Sequence, residues 1–83
     1  MVIGECYFVE SVTSHYYVGR VVDIHGPHTC TLEECAWVEN TGRLGAFMRR
    51  GTTPEMALEF IGNRTVHWAS NAKWPHKLFT EDV

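Results

Sequence analysis

Residues 35 to 51, Cys-Ala-Trp-Val-Glu-Asn-Thr-Gly-Arg-Leu-Gly-Ala-Phe-Met-Arg-Arg-Gly, constrain the fold more than any other stretch. They read as a strand end, a turn and a short helix. Cys35 to Val38 is an apolar run of strand type. Asn40 and Thr41 have good N-cap side chains, since a short oxygen can accept from a free N–H of the first helical turn. Leu44, Phe47 and Met48 fall at i, i+3 and i+4, so a helix places them on one face. Gly51 can close that helix in the left-handed conformation. Arg49 and Arg50 stand in its last turn, where the helix dipole favours cations.

A chain of 83 residues is one domain, 1–83. A domain of this size buries a modest share of its surface and often leans on a staple or a partner. Three cysteines, Cys6, Cys30 and Cys35, are an odd number, which argues against a full disulfide framework and fits reduced, structural thiols. No apolar run approaches the roughly 18 residues of a membrane span. The first residues lack the basic region of a signal peptide. The chain thus reads as soluble, intracellular and without membrane association. A net charge of −3 argues against general nucleic-acid binding.

Strands are expected at residues 3–10, 16–24, 28–33, 56–61 and 64–68, and a helix at 42–50. Tyr16, Val18, Val22 and Ile24 share one face of the second strand, which Arg20 interrupts, while Tyr17, Gly19 and Val21 share the other. Gly19 inside a strand marks a bulge or the close approach of another backbone. Glu34 begins a break or a bulge. Gly62-Asn63 reads as a two-residue hairpin turn between Met56–Ile61 and Arg64–Trp68. Thr52 and Glu55 have capping-box spacing, but the hairpin explains both flanks. Pro75 places Trp74 in irregular structure. The expected fold is α+β and mostly antiparallel β: a small, strongly bent sheet or partly closed barrel of about five strands with one short helix. Sheet edges in so small a domain favour a homo-oligomer.

Metal chemistry finds little support. His25 and His28 form His-x-x-His with Cys30 close behind, yet no Cys-x-x-Cys pair and no second half-site exist. No metal and no cofactor is expected. The cysteines stand in apolar strands, where a thiol acts as a small inert hydrophobe. Glu33-Glu34 and Glu81-Asp82 read as solvated charges. An enzyme is therefore not the expectation.

Binding chemistry fares better. Tyr16 and Tyr17 cannot both point inward from a regular strand, so one is expected to face solvent, a partner or a ligand. Asn40, Thr41, Gly42 and Arg43 would open the helix, where free N–H groups and a guanidinium suit an anion, ordinary capping being the plainer alternative. Arg20 and, more weakly, Arg64 are further candidates for charge contact.

Three segments resemble a family of short phage and prophage proteins: Tyr16-Tyr17-Val18-Gly19-Arg20-Val21-Val22, Ala36-Trp37-Val38-Glu39-Asn40-Thr41-Gly42-Arg43 and Trp74-Pro75-His76-Lys77-Leu78. Their order and spacing cover nearly the whole chain. The resemblance implies a phage gene product and brings no activity or functional residue with it. It narrows function to two classes. One is a host-defence antagonist in the host cytoplasm that sequesters a small nucleotide signal, with Tyr16, Tyr17, Arg20, Asn40, Thr41, Gly42, Arg43 and Arg64 as ligand-binding candidates. The other is a virion component, such as a capsid decoration or connector protein.

Overall fold

The computed structural model describes residues 1–79. Glu81 and Asp82 lie outside them. Four strands and one helix follow in the order β1 (Cys6–Ser11), β2 (Tyr16–Gly26), β3 (Thr29–Asn40), α1 (Leu44–Arg50) and β4 (Ala57–Lys73). All pairings are antiparallel, and β4 returns to β1 to close the sheet into a barrel. The domain is mostly antiparallel β with one short helix, but it has four strands rather than five.

The difference lies in β4. The expected hairpin at Gly62-Asn63 does not form. A type I′ turn needs positive φ at both central residues, a type II′ turn only at the first. Gly62 has φ 70°, and Asn63 is not among the residues with positive φ. The register decides: Phe60, Gly62 and Arg64 all pair with β3, at Ala36, Cys35 and Leu32, so the strand bends at a bulge and continues. Its first part, Ala57 to His67, pairs with β3, and its last part, Trp68 to Lys73, pairs with β1. This single long strand therefore closes the ring. Each strand has a hydrogen-bonded neighbour on both sides, so much of the edge that motivated self-association is covered within one chain.

Other boundaries shift for local reasons. β1 starts at Cys6 because Gly4 has φ 93° and the Glu5 N–H bonds the Val2 carbonyl across a turn. β3 runs through Glu34, a left-handed residue at φ 49°, and continues to Asn40 as a bulged strand. The helix starts at Leu44 rather than 42, because Gly42 is left-handed and Arg43 is extended at φ −72°, ψ 116°. Arg43 is thus the N-cap residue, and no side chain caps the helix. Gly51 ends it as expected, at φ 81°, with its N–H on the Phe47 carbonyl at 2.8 Å.

Strand alternation sorts the apolar residues into two layers. Tyr7, Val9, Tyr17, Val21, Cys30, Leu32, Cys35 and Val66 fill the barrel interior. Phe8, Val18 and Val38 face outward and are covered by Phe47 of α1 and by Trp74. Trp74 is buried from outside any element, as expected. Leu44 is a correction: only Phe47 of the helical face is fully buried, and Leu44 is exposed. Gly19 faces inward between Tyr17 and Val21. A Cβ there would stand 3.0 Å from the Leu32 Cβ and 3.1 Å from the Glu33 carbonyl oxygen, so glycine lets β3 cross closely. Among the described residues no helix is long and apolar enough to cross a membrane.

Candidate site at the barrel mouth

The two tyrosines separate. Both pack, because α1 and the tail cover the second face of the sheet. Tyr16 stacks on Phe8, with ring centroids 5.2 Å apart, in the layer under α1. Tyr17 turns into the barrel and is 5% exposed. Its cross-strand partner on β3 is Trp37, which is half-buried. Paired residues share a face, so Tyr17 and Trp37 form an aromatic row at one end of the interior.

The β1–β2 turn supplies the next wall. The Ser11 hydroxyl accepts the His15 N–H at 3.1 Å and shares a hydrogen bond with the Thr13 hydroxyl at 2.8 Å. These bonds hold His15 beside Trp37, with ring centroids 5.4 Å apart. From β4, Arg64 lays its guanidinium over the Tyr17 ring, 5.8 Å from the centroid. Arg64 forms no ion pair among the described residues. Its charge reaches inward as well. Burial pushes the Cys35 thiol up to about 12, and the nearby Arg64 opposes that rise.

Two adjoining depressions meet at Tyr17 and Arg64. One, about 110 Å³, is walled by His15, Trp37 and Ile61 besides the shared pair. The other, about 170 Å³, adds the Ser11 and Thr13 turn and His67. An aromatic half and a hydroxyl-bearing half thus share the Arg64 guanidinium. A separate, larger cleft of about 550 Å³ lies between the end of α1 and residues 76–79, with Met56, Leu58, Leu78 and Phe79 along it. None of the expected ligand-binding residues lines it.

Of those residues, the fold brings Tyr17 and Arg64 together. Arg20 is engaged elsewhere: Glu33 Oε1 accepts from it at 2.7 Å, and the Glu34 carboxylate holds the same nitrogen. These contacts raise the Arg20 pKa, Glu33 first and Glu34 second. Glu33 and Glu34 are thus paired rather than simply solvated. The Asn40–Arg43 segment is knit into its own turn. Asn40 Oδ1 accepts the Gly42 N–H at 2.8 Å, the Thr41 hydroxyl donates to the Gly42 carbonyl at 2.9 Å, and the Thr53 hydroxyl donates to the Thr41 carbonyl at 2.6 Å. A Cβ at Gly42 would collide with the Thr53 hydroxyl, so that space is filled by the chain itself. Arg43 is exposed, and none of these four residues lines the mouth.

Sequence reasoning missed Trp37 and His15. Extending β3 past Glu34 would have found Trp37, which alternates with Cys35 and shares its face. The His25, His28 and Cys30 constellation does not converge. Cys30 is buried in the barrel, while His25 bonds the Thr31 hydroxyl at 2.8 Å on the exposed side and His28 stacks edge-on against Trp68. Among the described residues no group of three or more His, Cys, Asp or Glu side chains is placed to hold a metal ion. Comparison with family models, curated proteins and solved structures finds no match.

Proposed function

We propose that this protein binds a small phosphate-bearing ligand, a nucleotide of the kind used as an immune signal, and sequesters it without transforming it, as a phage antagonist of host defence in the host cytoplasm. One observation carries the reading: Tyr17, Trp37 and Arg64, which forms no ion pair among the described residues, converge on one barrel mouth. Trp37 and His15 offer ring faces to a base, and stacking on an aromatic side chain is worth about 1–3 kcal/mol per base. Arg64 offers a planar fork that matches phosphate oxygens. The Ser11 and Thr13 turn offers hydroxyls to a sugar. Burial raises the Cys30 and Cys35 thiols, the opposite of what an activated nucleophile needs, and this favours binding over catalysis.

Calorimetry against a nucleotide panel tests the reading. Wild type should bind at least one member, the ligand should be recovered intact, and Arg64→Ala and Trp37→Ala should each weaken binding tenfold or more. Failure to bind any member ends the proposal.

The second reading, a virion component that self-associates, is favoured by a different observation. Val2 and Ile3 are exposed just before Gly4, whose N–H bonds the Val21 carbonyl, and Val22 and Ile24 are exposed just beyond it on β2. Exposed apolar side chains on neighbouring segments of a small domain suit an assembly contact. Recovery of the protein in purified virions would support that reading.

A further inference from the structure

Granting that the mouth binds a nucleotide, we infer that it holds the ligand's phosphate with three positive charges, protonated His15 and His67 joining Arg64, so that binding takes up protons from solution. The lining carries this. Arg64 stands where both halves meet, His15 walls the aromatic half, and His67 walls the hydroxyl-bearing half. Among the described residues no carboxylate lines either half. The carboxylates on the surrounding strands stand elsewhere. Glu33 and Glu34 hold Arg20, Asp23 is 3.8 Å from His25, and Glu10 accepts from the Ser70 hydroxyl. Glu59 is the cross-strand partner of Trp37, and Glu39 follows Trp37 on β3, so these two belong to the aromatic end. His28 packs edge-on against Trp68, and His25 bonds Thr31, whose hydroxyl meets that of Thr65; neither ring lines the mouth. The Cys35 thiol near Arg64 stays protonated, since burial pushes it up to about 12.

Both mouth histidines are built to change charge in place. The His67 Nδ1 lies 2.9 Å from the Thr29 hydroxyl, and the His15 Nδ1 lies 3.4 Å from the Thr13 hydroxyl. A hydroxyl donates to a neutral ring and accepts from an imidazolium by turning its hydrogen, so neither ring loses its partner on charging. Imidazole is the side chain whose charge ordinarily changes between pH 5 and 8. Compact spaces of about 110 and 170 Å³ are narrower than the screening length of about 8 Å at physiological salt, so an anion at Arg64 meets the charge of either ring. Linkage is reciprocal: an anion that favours the imidazolium form binds more tightly as pH falls. His67 shares the hydroxyl-bearing half with Arg64, Ser11 and Thr13, so its share of the uptake is the larger.

The test is titration calorimetry of the wild-type chain at pH 6.0 and 7.5 with adenosine 3′,5′-cyclic monophosphate, a cyclic dinucleotide and ADP-ribose. Their phosphates are already fully ionised over this range, so any protons taken up come from the protein. Repeating each titration in buffers of different ionisation enthalpy counts those protons. A compound that binds should do so about three- to tenfold tighter at pH 6.0 than at pH 7.5, with net proton uptake. His67→Gln should remove most of that gain, His15→Gln a smaller part, and the double variant all of it, while each single variant stays within twofold of wild type at pH 7.5. His76→Gln, in the separate cleft beside α1, should keep the full gain. Equal affinity at both pH values, or no proton uptake, overturns the inference and leaves nucleotide binding standing. Uptake that persists in the double variant overturns it too. A loss of the same size at both pH values in His67→Gln makes that residue structural and overturns its charge role. If no compound binds wild type at either pH, the proposed function itself fails.

Discussion

Arg64 lies over the Tyr17 ring, its Cζ 5.8 Å from the centroid, where the two halves of the barrel mouth meet. Tyr17 is buried and fixed by the core, whereas Arg64 is exposed. The pair therefore joins a rigid floor to a cation that a ligand can reach. Exposed cation–π contacts contribute about 0.5–1 kcal/mol.

It follows that Arg64→Ala should leave the fold nearly intact. Urea denaturation should show a loss of about 1 kcal/mol or less with an unchanged slope. A much larger loss would make Arg64 a structural residue and would spoil its use as a binding probe.

Phe47 should be the anchor of α1. A helix of seven residues is far too short to persist by propensity alone. Phe47 is fully buried against Phe8 and Trp74, with ring centroids 5.8 and 5.2 Å away. Phe47→Ala should cost about 3–5 kcal/mol in chemical denaturation, as aromatic truncations in cores do. Leu44→Ala, on the same helix but exposed, should fall within about 0.5 kcal/mol of wild type. Similar costs at both positions would contradict the buried face assigned to the helix.

The sequence carried the β character, the helix and its glycine stop, because these depend on local pattern: alternation, i/i+3/i+4 spacing and a left-handed cap. It misassigned Gly62-Asn63, where the local signal fits a turn and a bulge equally well. The choice is made by ring closure, since only an unbroken β4 reaches both β3 and β1. The site was half legible for a related reason. Tyr17 and Arg64 stand out as residue types, but their meeting depends on the β3–β4 register that pairs Leu32 with Arg64. Trp37 was hidden by the bulge at Glu34, which shifts the alternation from Leu32 to Cys35. Arg20 was drawn away by two carboxylates whose spatial nearness no spacing rule reveals.

Gly62 gives a test of the continuous strand. With φ at 70°, alanine there would force a Cβ into the left-handed region at a cost of about 1–2 kcal/mol, although nothing lies within 4 Å of that Cβ. Asparagine tolerates such a conformation better. Gly62→Ala should thus lower stability by more than Gly62→Asn. Equal stability of the two variants would place Gly62 in an ordinary extended conformation and remove the bend from β4.

The buried thiols should set an alkaline limit on stability. Burial raises Cys35 from 9.0 to about 12 and also raises Cys30. In the unfolded chain the thiol loses its proton near its ordinary value, while in the folded barrel it stays protonated. Between those two pH values the native state binds more protons than the unfolded state, so stability falls as pH rises. The contribution is complete below about pH 9, declines above it, and is gone once pH passes the folded value near 12. The largest slope per thiol is about 1.4 kcal/mol per pH unit. Urea midpoints measured from pH 7 to 10.5 under reducing conditions should therefore drop on the alkaline side. Cys35→Ala should be less stable at pH 7, since it leaves a small cavity, yet its alkaline decline should be shallower than wild type. A decline just as steep in the variant would show that other groups govern the alkaline side and that the Cys35 thiol does not.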